Sequence, residues 1–290
     1  MPELPEAEIT TQKLKPLLLG KRFLGFWTNW PRGVAVSKPA AITRDIKGRK
    51  VLSLARRGKA ILVRLSGGRM LALHQKMSGK VLVLLKGTKD KHIHHRFPLS
   101  PSTGSGQEGG KELVLHDIRK FGRVWYGKEA DVLRDPFFAK LGREPLELSF
   151  VRFGELFLRH KGMVKPLLLR QDVFAGIGNI VADESLWRAK VHPCRRIETL
   201  TEPEVRRVYD AIRFILKKSI ALGGSTMRDW RHPDLSSGGY YPGRYVYNRR
   251  GERCKRCGTT ILRIVVGSRG TYICPKCQRN HDRCSPFHIK

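Results

Sequence analysis

Two groups of residues in this 290-residue chain have types and spacings suited to chemistry. The first is the start, Met1-Pro2-Glu3. An initiator methionine is normally removed when proline follows, which leaves Pro2 with a free secondary amine. An α-amine titrates near 8 and a lysine near 10.4. At pH 7 roughly a tenth of the α-amine is therefore neutral, against well under about a thousandth of a lysine. A neutral secondary amine is a nucleophile toward a sugar C1′ or an aldehyde, and the product is an iminium Schiff base. Glu3, the next residue, offers a general acid. Read alone, the same proline is more simply a rigid start to a helix.

The second group is Cys254-x-x-Cys257 and Cys274-x-x-Cys277, sixteen residues apart. Each C-x-x-C turn aims two sulfurs at one point, and two such turns close a tetrahedral thiolate cage around one Zn²⁺. Four protein ligands leave no open position, so the metal is structural. Residues 241–290 hold too small a core to fold alone, and the metal substitutes for one. Strands are expected at 260–266 and 271–273, with Arg269 at the hairpin tip as a solvated residue or a phosphate contact. Cys194 and Cys284 are spare and expected to be buried or incidental.

Charge bounds the partner. The chain has 57 Lys+Arg against 25 Asp+Glu, a net charge of +32 and a pI near 10.5. That excludes an ordinary neutral metabolic enzyme and implies a polyanion, either nucleic acid or an anionic membrane surface. A hydrophobic content of 40% excludes a wholly disordered basic tail. No apolar run reaches the roughly 18 residues of a membrane span. The first ten residues are acidic and polar, unlike a signal or transit peptide. Paired cysteines of metal-site type point to a reducing, cytoplasmic compartment.

The elements that must position these groups follow from periodicity. Residues 5–19 read as a helix, with Pro5 in its first turn, Glu6 and Glu8 at its positive end and Gly20 as its stop. Period-two patterns place strands at 22–30, 50–55, 60–65, 69–74, 112–116 and 123–126, with Gly67-Gly68 as a two-residue hairpin turn. Residues 88–111 are Pro/Ser/Gly-rich at their centre and read as a mobile surface loop, with His92, His94 and His95 solvated on it. From about 148 the period becomes helical: 150–159, 164–171, then a break at Gly176-Ile177-Gly178-Asn179, then 180–190. Thr201 and Glu204 form a capping box. It opens a helix whose buried face is Val205, Val208, Ile212, Ile215 and Leu222, ending at Gly223-Gly224. Residues 225–248 read as loop and linker. The expected division is 1–145, 146–235 and 240–290.

Several stretches in order along nearly the whole chain resemble one family. They are PELPEAE (2–8), RRGKAILVRL (56–65), HQKMSG (74–79), IRKFG (118–122), GIGNIVADESLW (176–187), GGSTMRDW (223–230) and the paired cysteines. Together they are similar to the formamidopyrimidine-DNA glycosylase / endonuclease VIII family, and to its formamidopyrimidine-DNA glycosylase branch in particular. The resemblance implies an α+β fold: an N-terminal two-layered β-sandwich with flanking helices, a C-terminal helical domain with a helix–two-turn–helix, and a four-cysteine zinc finger. It implies double-stranded DNA containing oxidised bases as the partner, bound in the cleft between the two parts. Nothing in the sequence demands more than a monomer, expected in the cytoplasm with the nucleoid. Only this resemblance favours the nucleophile over the rigid helix start for Pro2.

By the same resemblance Pro2 attacks C1′ of a damaged nucleoside and Glu3 assists ring opening. The Schiff base then acidifies the C2′ protons, and β- and δ-elimination follow. Lys59 matches a β-hairpin lysine given the proton-donor role in β-elimination, and Arg269 the arginine given that role in δ-elimination. Glu6 and Glu184 match acids that order the site; structural hydrogen bonding is the other reading for both. Met77, Arg119 and Phe121 match the residues that fill the place of the extruded base. Asn179, His74 and His92 match positions near the DNA backbone.

The chain departs from the family pattern at Gln75-Lys76 (usually Leu-Gly), at Ile118 and Lys120, in a longer loop after Lys86, and at Arg228. These departures bear on substrate preference. Three functions remain open on the sequence: a bifunctional DNA glycosylase/AP lyase for oxidised purines, an endonuclease VIII-like enzyme for oxidised pyrimidines, and a non-catalytic zinc-dependent nucleic-acid-binding protein.

Overall fold

The computed structural model describes residues 2–101 and 110–280. The chain divides into two compact units, residues 1–140 with 223–239, and residues 141–222 with the segment from 240 on.

The first unit opens with α1 (Leu4–Leu18). Glu3 is its N-cap and closes a capping box with Glu6. A five-stranded sheet runs in the order β2 (Val34–Ala35), β9 (Arg123–Lys128), β5 (Arg69–His74), β4 (Ala60–Leu65), β3 (Val51–Arg57). A four-stranded sheet runs β1 (Trp27–Thr28), β7 (Ile93–Pro98), β8 (Lys111–Asp117), β6 (Gly79–Leu85). Alternation sends every second side chain inward, and the two inner faces interdigitate. Ile61, Val63, Leu71, Leu73, Val124 and Tyr126 of one sheet share a core with Val81, Phe97, Leu113 and Leu115 of the other. Leu14 and Leu18 of α1, with Ile42 and Ile46 of α2 (Pro39–Ile46), complete it. The short helices α3 (Glu129–Arg134) and α4 (Pro136–Ala139) follow β9.

Four expectations change. Residues 88–111 are not all loop, because β7 lies inside them, between β1 and β8. His94 and His95 are buried on this strand rather than solvated. His95 stacks on Phe26 and meets Thr28 Oγ1 at 3.0 Å, and burial pushes its imidazole down to about 4. The Pro/Ser/Gly content that signals a loop sits further on; residues 102–109 lie outside the described residues. Strand β6 has no counterpart in the sequence reading, since Val81–Leu85 is a near-continuous apolar run without a period. The strand expected at 22–30 contracts to β1 and two isolated bridges, Arg22–Lys50 and Phe23–Leu99. Finally, Leu65 pairs with Arg69, so the hairpin link is 66–68, three residues long, with Gly67 and Gly68 at φ +72 and +65.

The second unit holds α5 (Phe150–Leu158), α6 (Val164–Leu169), α7 (Asn179–Ala189), α8 (Glu202–Ala221) and α9 (Tyr240–Gly243). The capping box forms as expected: Thr201 N donates to Glu204 Oε2 at 2.9 Å. Val205, Val208, Ile212 and Ile215 are buried, but Leu222 is the exposed C-cap residue rather than part of that face. The hairpin β10 (Leu262–Val266) and β11 (Arg269–Ile273) turns at Gly267-Ser268, whose positive φ values of 55 and 61 suit a two-residue turn. Arg269 is therefore the exposed first residue of β11. Cys194 packs under this hairpin with Ile264, Val266 and Ile273, while Cys284 lies outside the described residues.

Candidate active site and metal centre

In the first unit, ladder register brings the predicted residues to one end of both sheets. Arg57 pairs with Ala60, so the β3–β4 turn holds Lys59 there, 8% exposed. Ala60 pairs with His74 and His74 with Arg123, which sets the end of β5 and the start of β9 beside it. The β6–β8 ladder ends at Gly79–Asp117. The turn before β6 carries Met77 and the turn after β8 carries Arg119 and Phe121. Met77 and Phe121 are each 46% exposed, so both apolar side chains are open to a partner at this end. The Arg119 guanidinium lies 4.9 Å from the Phe121 ring centre. His92 joins this end through its carbonyl, which accepts from Asp117 N at 2.8 Å, while its ring stands edge-on to His116.

Pro2 and Glu3, both buried, stand at the start of helix α1, which bonds to this end of the sheets further along. Glu8 accepts from Arg56 Nε at 2.8 Å, beside the Lys59 turn. Thr10 Oγ1 accepts from Gln75 Nε2 at 3.3 Å. His74 Nδ1 accepts from Lys76 N at 2.9 Å. Burial, with the Lys76 and Lys59 charges, pushes its imidazole down to about 3. His74 is thus neutral at pH 7 with its proton on Nε2, a donor rather than a cation. Lys76, where the family pattern has glycine, sits at φ 52 and spreads its ammonium over the Phe137 ring at 5.0 Å. A left-handed conformation is strained for lysine, and a cation–π contact offsets part of that strain.

Glu6 connects this region to residues 223–239. Its Oε2 accepts from Glu3 N at 2.7 Å and its Oε1 from Ser225 N at 2.6 Å. Burial, reinforced by the nearby Glu3 carboxylate, raises its pKa from the ordinary 4.5 to about 7. Gly224 lies against it at φ +78, where an added Cβ would stand 3.1 Å from Glu6 Oε1. Lys13 pairs with Asp234 at 2.7 Å, and Trp230 Nε1 donates to Gln75 Oε1 at 3.2 Å. The exposed tip, Met227-Arg228-Asp229, projects from an anchored base.

In the second unit Asn179 is the first residue of α7, where helix polarity favours an anion. Gln171 shapes the preceding turn by donating to the carbonyls of Leu169 and Ile177 and accepting from Gly176 N. Asn179 Nδ2 donates to Gly270 O at 2.9 Å, next to Arg269. Lys165 and Asp183, both fully buried, pair at 2.6 Å. Lys165 also donates to Thr271 Oγ1, and Asp183 accepts from Tyr272 N. Glu184 accepts from Tyr240 Oη, Tyr245 N, Val246 N and Tyr247 N at 2.7–3.0 Å. These four contacts make it a structural acceptor that folds 240–247 against α7.

The four predicted cysteines converge, with all four sulfurs within 4.8 Å of one another. Cys254–Cys277, Cys257–Cys274 and Cys257–Cys277 stand 3.9, 3.4 and 3.5 Å apart. Tetrahedral zinc with bonds of about 2.3 Å places its sulfurs about 3.8 Å apart, so the set fits one Zn²⁺. Trp187 Nε1 and Arg256 N point at Cys254 Sγ at 3.4 and 3.5 Å and stabilise thiolate charge. Asp117, Gln171 and Lys165 carry no motif signal, and Gln75 stands out in the sequence only as a departure from the family pattern. Each acts through partners distant in sequence or on backbone groups that folding places.

Residues 1–124 match the formamidopyrimidine-DNA glycosylase N-terminal domain, 141–230 the formamidopyrimidine-DNA glycosylase H2TH domain, and 251–280 a zinc finger found in FPG and IleRS. The chain is 40% identical over 283 residues to a formamidopyrimidine-DNA glycosylase of Roseiflexus sp., covering 96% of this chain and 100% of that one. It is 39% identical to that of Thermus thermophilus, at 96% and 98% coverage. Among solved structures, Lactococcus lactis Fpg in complex with abasic-site DNA aligns with a TM-score of 0.86 at 32% identity, covering 96% and 100%. The MutM (Fpg) protein of Thermus thermophilus aligns with a TM-score of 0.84 at 37% identity, covering 96% and 98%. The chain belongs to the formamidopyrimidine-DNA glycosylase family.

Proposed function

We propose that this protein is a bifunctional DNA glycosylase and AP lyase of base excision repair. It acts as a monomer on chromosomal duplex DNA and removes oxidised purines such as 8-oxoguanine and formamidopyrimidines. The observation that supports this reading is the sheet end that presents Lys59, Met77, Arg119 and Phe121, bonded through Glu8 and Thr10 to the helix whose start carries the buried Pro2 and Glu3. After removal of Met1, the Pro2 nitrogen bonds to C1′ as the glycosidic bond breaks, and the base leaves with that electron pair and a proton. Glu3 holds a carboxyl group beside the amine for sugar-ring opening. The iminium draws electron density from C2′, whose proton is lost as the 3′ phosphate is expelled; the 5′ phosphate follows. Lys59 and Arg269 serve these eliminations. Met77, Arg119 and Phe121 occupy the vacated place in the duplex, Phe121 as the wedge. Asn179 and His92 contact phosphates, and His74 offers a neutral donor. The zinc ion holds the 251–280 module in shape, and the +32 charge supplies sequence-independent affinity.

Borohydride trapping on duplex DNA containing 8-oxoguanine opposite cytosine tests this, with Pro2→Gly as control and N-terminal mass spectrometry of the active material. A covalent adduct on the mature N-terminal residue is expected, weakened in Pro2→Gly, whose N-terminal glycine keeps a primary α-amine. An adduct mapped by peptide mass spectrometry to a side chain elsewhere, or activity in protein retaining Met1, would move the nucleophile. A parallel thymine-glycol duplex separates purine from pyrimidine preference.

A further inference from the structure

The turns bearing Met77 and Arg119/Phe121 share one acceptor. Asp117, 2% exposed, ends β8 opposite Gly79. Its Oδ1 accepts from Ser78 Oγ at 2.5 Å and from Arg119 N at 3.1 Å. Its Oδ2 accepts from Phe121 N at 2.8 Å and Gly122 N at 2.6 Å. Three of these bonds close residues 118–122 on themselves, around Lys120 at φ 55. The fourth, from Ser78, crosses to the neighbouring turn. Space is tight on both sides. A Cβ on Gly79 would stand 2.4 Å from Gln75 O, and one on Gly122 3.3 Å from Asp117 Oδ2.

We infer that Asp117, through Ser78, is a positioning residue that sets the distance between the Met77 side chain and the Arg119–Phe121 pair. The inference rests on the wedge reading of those three residues given above. A wedge must enter the base stack as a unit. Two turns moving independently would have to be ordered at the moment of insertion, at an entropic cost for every backbone residue fixed. A buried carboxylate whose acceptor positions are filled by both turns orders them before DNA arrives. Asp117 touches no reacting atom in this scheme, so its contribution belongs to steps that require a base to leave the stack.

The test compares Ser78→Ala, Asp117→Asn and Phe121→Ala with the parent protein. Two single-turnover rates are measured for each: excision of 8-oxoguanine from duplex DNA, and strand cleavage at a preformed abasic site in single-stranded DNA. The single strand needs no wedge. Ser78→Ala, which removes only the crossing bond, is expected to lower the duplex-to-single-strand ratio about tenfold, and Asp117→Asn more. Equal falls in both rates for both variants would reduce Asp117 to general structural support and overturn the inference. If Phe121→Ala lowers the ratio while Ser78→Ala and Asp117→Asn leave it at the parent value, the inference fails and the wedge reading stands. If Phe121→Ala leaves the ratio unchanged, the wedge reading fails and the inference falls with it.

Discussion

Trp230 Nε1 donates to Gln75 Oε1 at 3.2 Å, and Nε2 of the same amide donates to Thr10 Oγ1 at 3.3 Å. One side chain thus ties residues 223–239 and helix α1 to the turn that carries Met77. Gln75→Leu, which restores the usual family residue, leaves a nearly buried indole N–H without its acceptor. The expected cost is about 1–3 kcal/mol. Hydrogen exchange should rise at 223–239 more than in the sandwich strands; a uniform rise would contradict a local role.

Glu6 gives stability a pH dependence of definite sign. The unfolded carboxyl loses its proton near the ordinary 4.5, whereas the folded one keeps it to about 7. Between these values the folded state binds more protons, so this contribution falls as pH rises. At about 1.4 kcal/mol per pH unit, the advantage of the parent protein over Glu6→Gln should shrink by about 3 kcal/mol across the window. Denaturant midpoints of the two proteins at pH 4.5 and 7 measure it, and a constant difference would refute it.

The Lys165–Asp183 pair is sealed from water at both ends. Lys165→Met strands a buried carboxylate, with an expected loss of about 3–5 kcal/mol. Lys165→Met combined with Asp183→Leu should recover most of that loss. A double variant no more stable than the single one would show that the hydrogen bonds to Thr271 and Tyr272 matter more than the charges.

Removing zinc, by chelation or by Cys277→Ser, should unfold the 251–280 module while the sandwich core remains folded. Two separate thermal transitions and a loss of DNA affinity reversed by added zinc are the expected readings. A single cooperative transition at unchanged temperature would argue against a structural metal.

Much of this was legible before the fold was known, for local reasons. Strands at 60–65 and 69–74 are short apolar runs on either side of Gly67-Gly68, Thr201 and Glu204 stand at capping-box spacing, and the cysteine pairs need only their own turns. What stayed hidden depends on register or on distant partners. Asp117 is an unremarked acid at a strand end until Gly79 pairs with it. Strand β7 was obscured because histidines and the Pro/Ser/Gly stretch beyond them imitate a loop, whereas His94 and His95 complete a sheet. Nothing around Lys165 in the sequence marks its partner: Asp183, eighteen positions on, meets it only in the folded interior.

Asn179, Asp183, Glu184 and Trp187 lie along one helix, α7, and each bonds to a different part of 240–274. The metal knuckle is therefore aimed by a rod already in place, and not by the peptide that leads to it. Loops between the two can lengthen or shorten over evolutionary time without swinging Arg269 off its bearing, whereas a one-residue slip within the rod would misdirect the whole appendage.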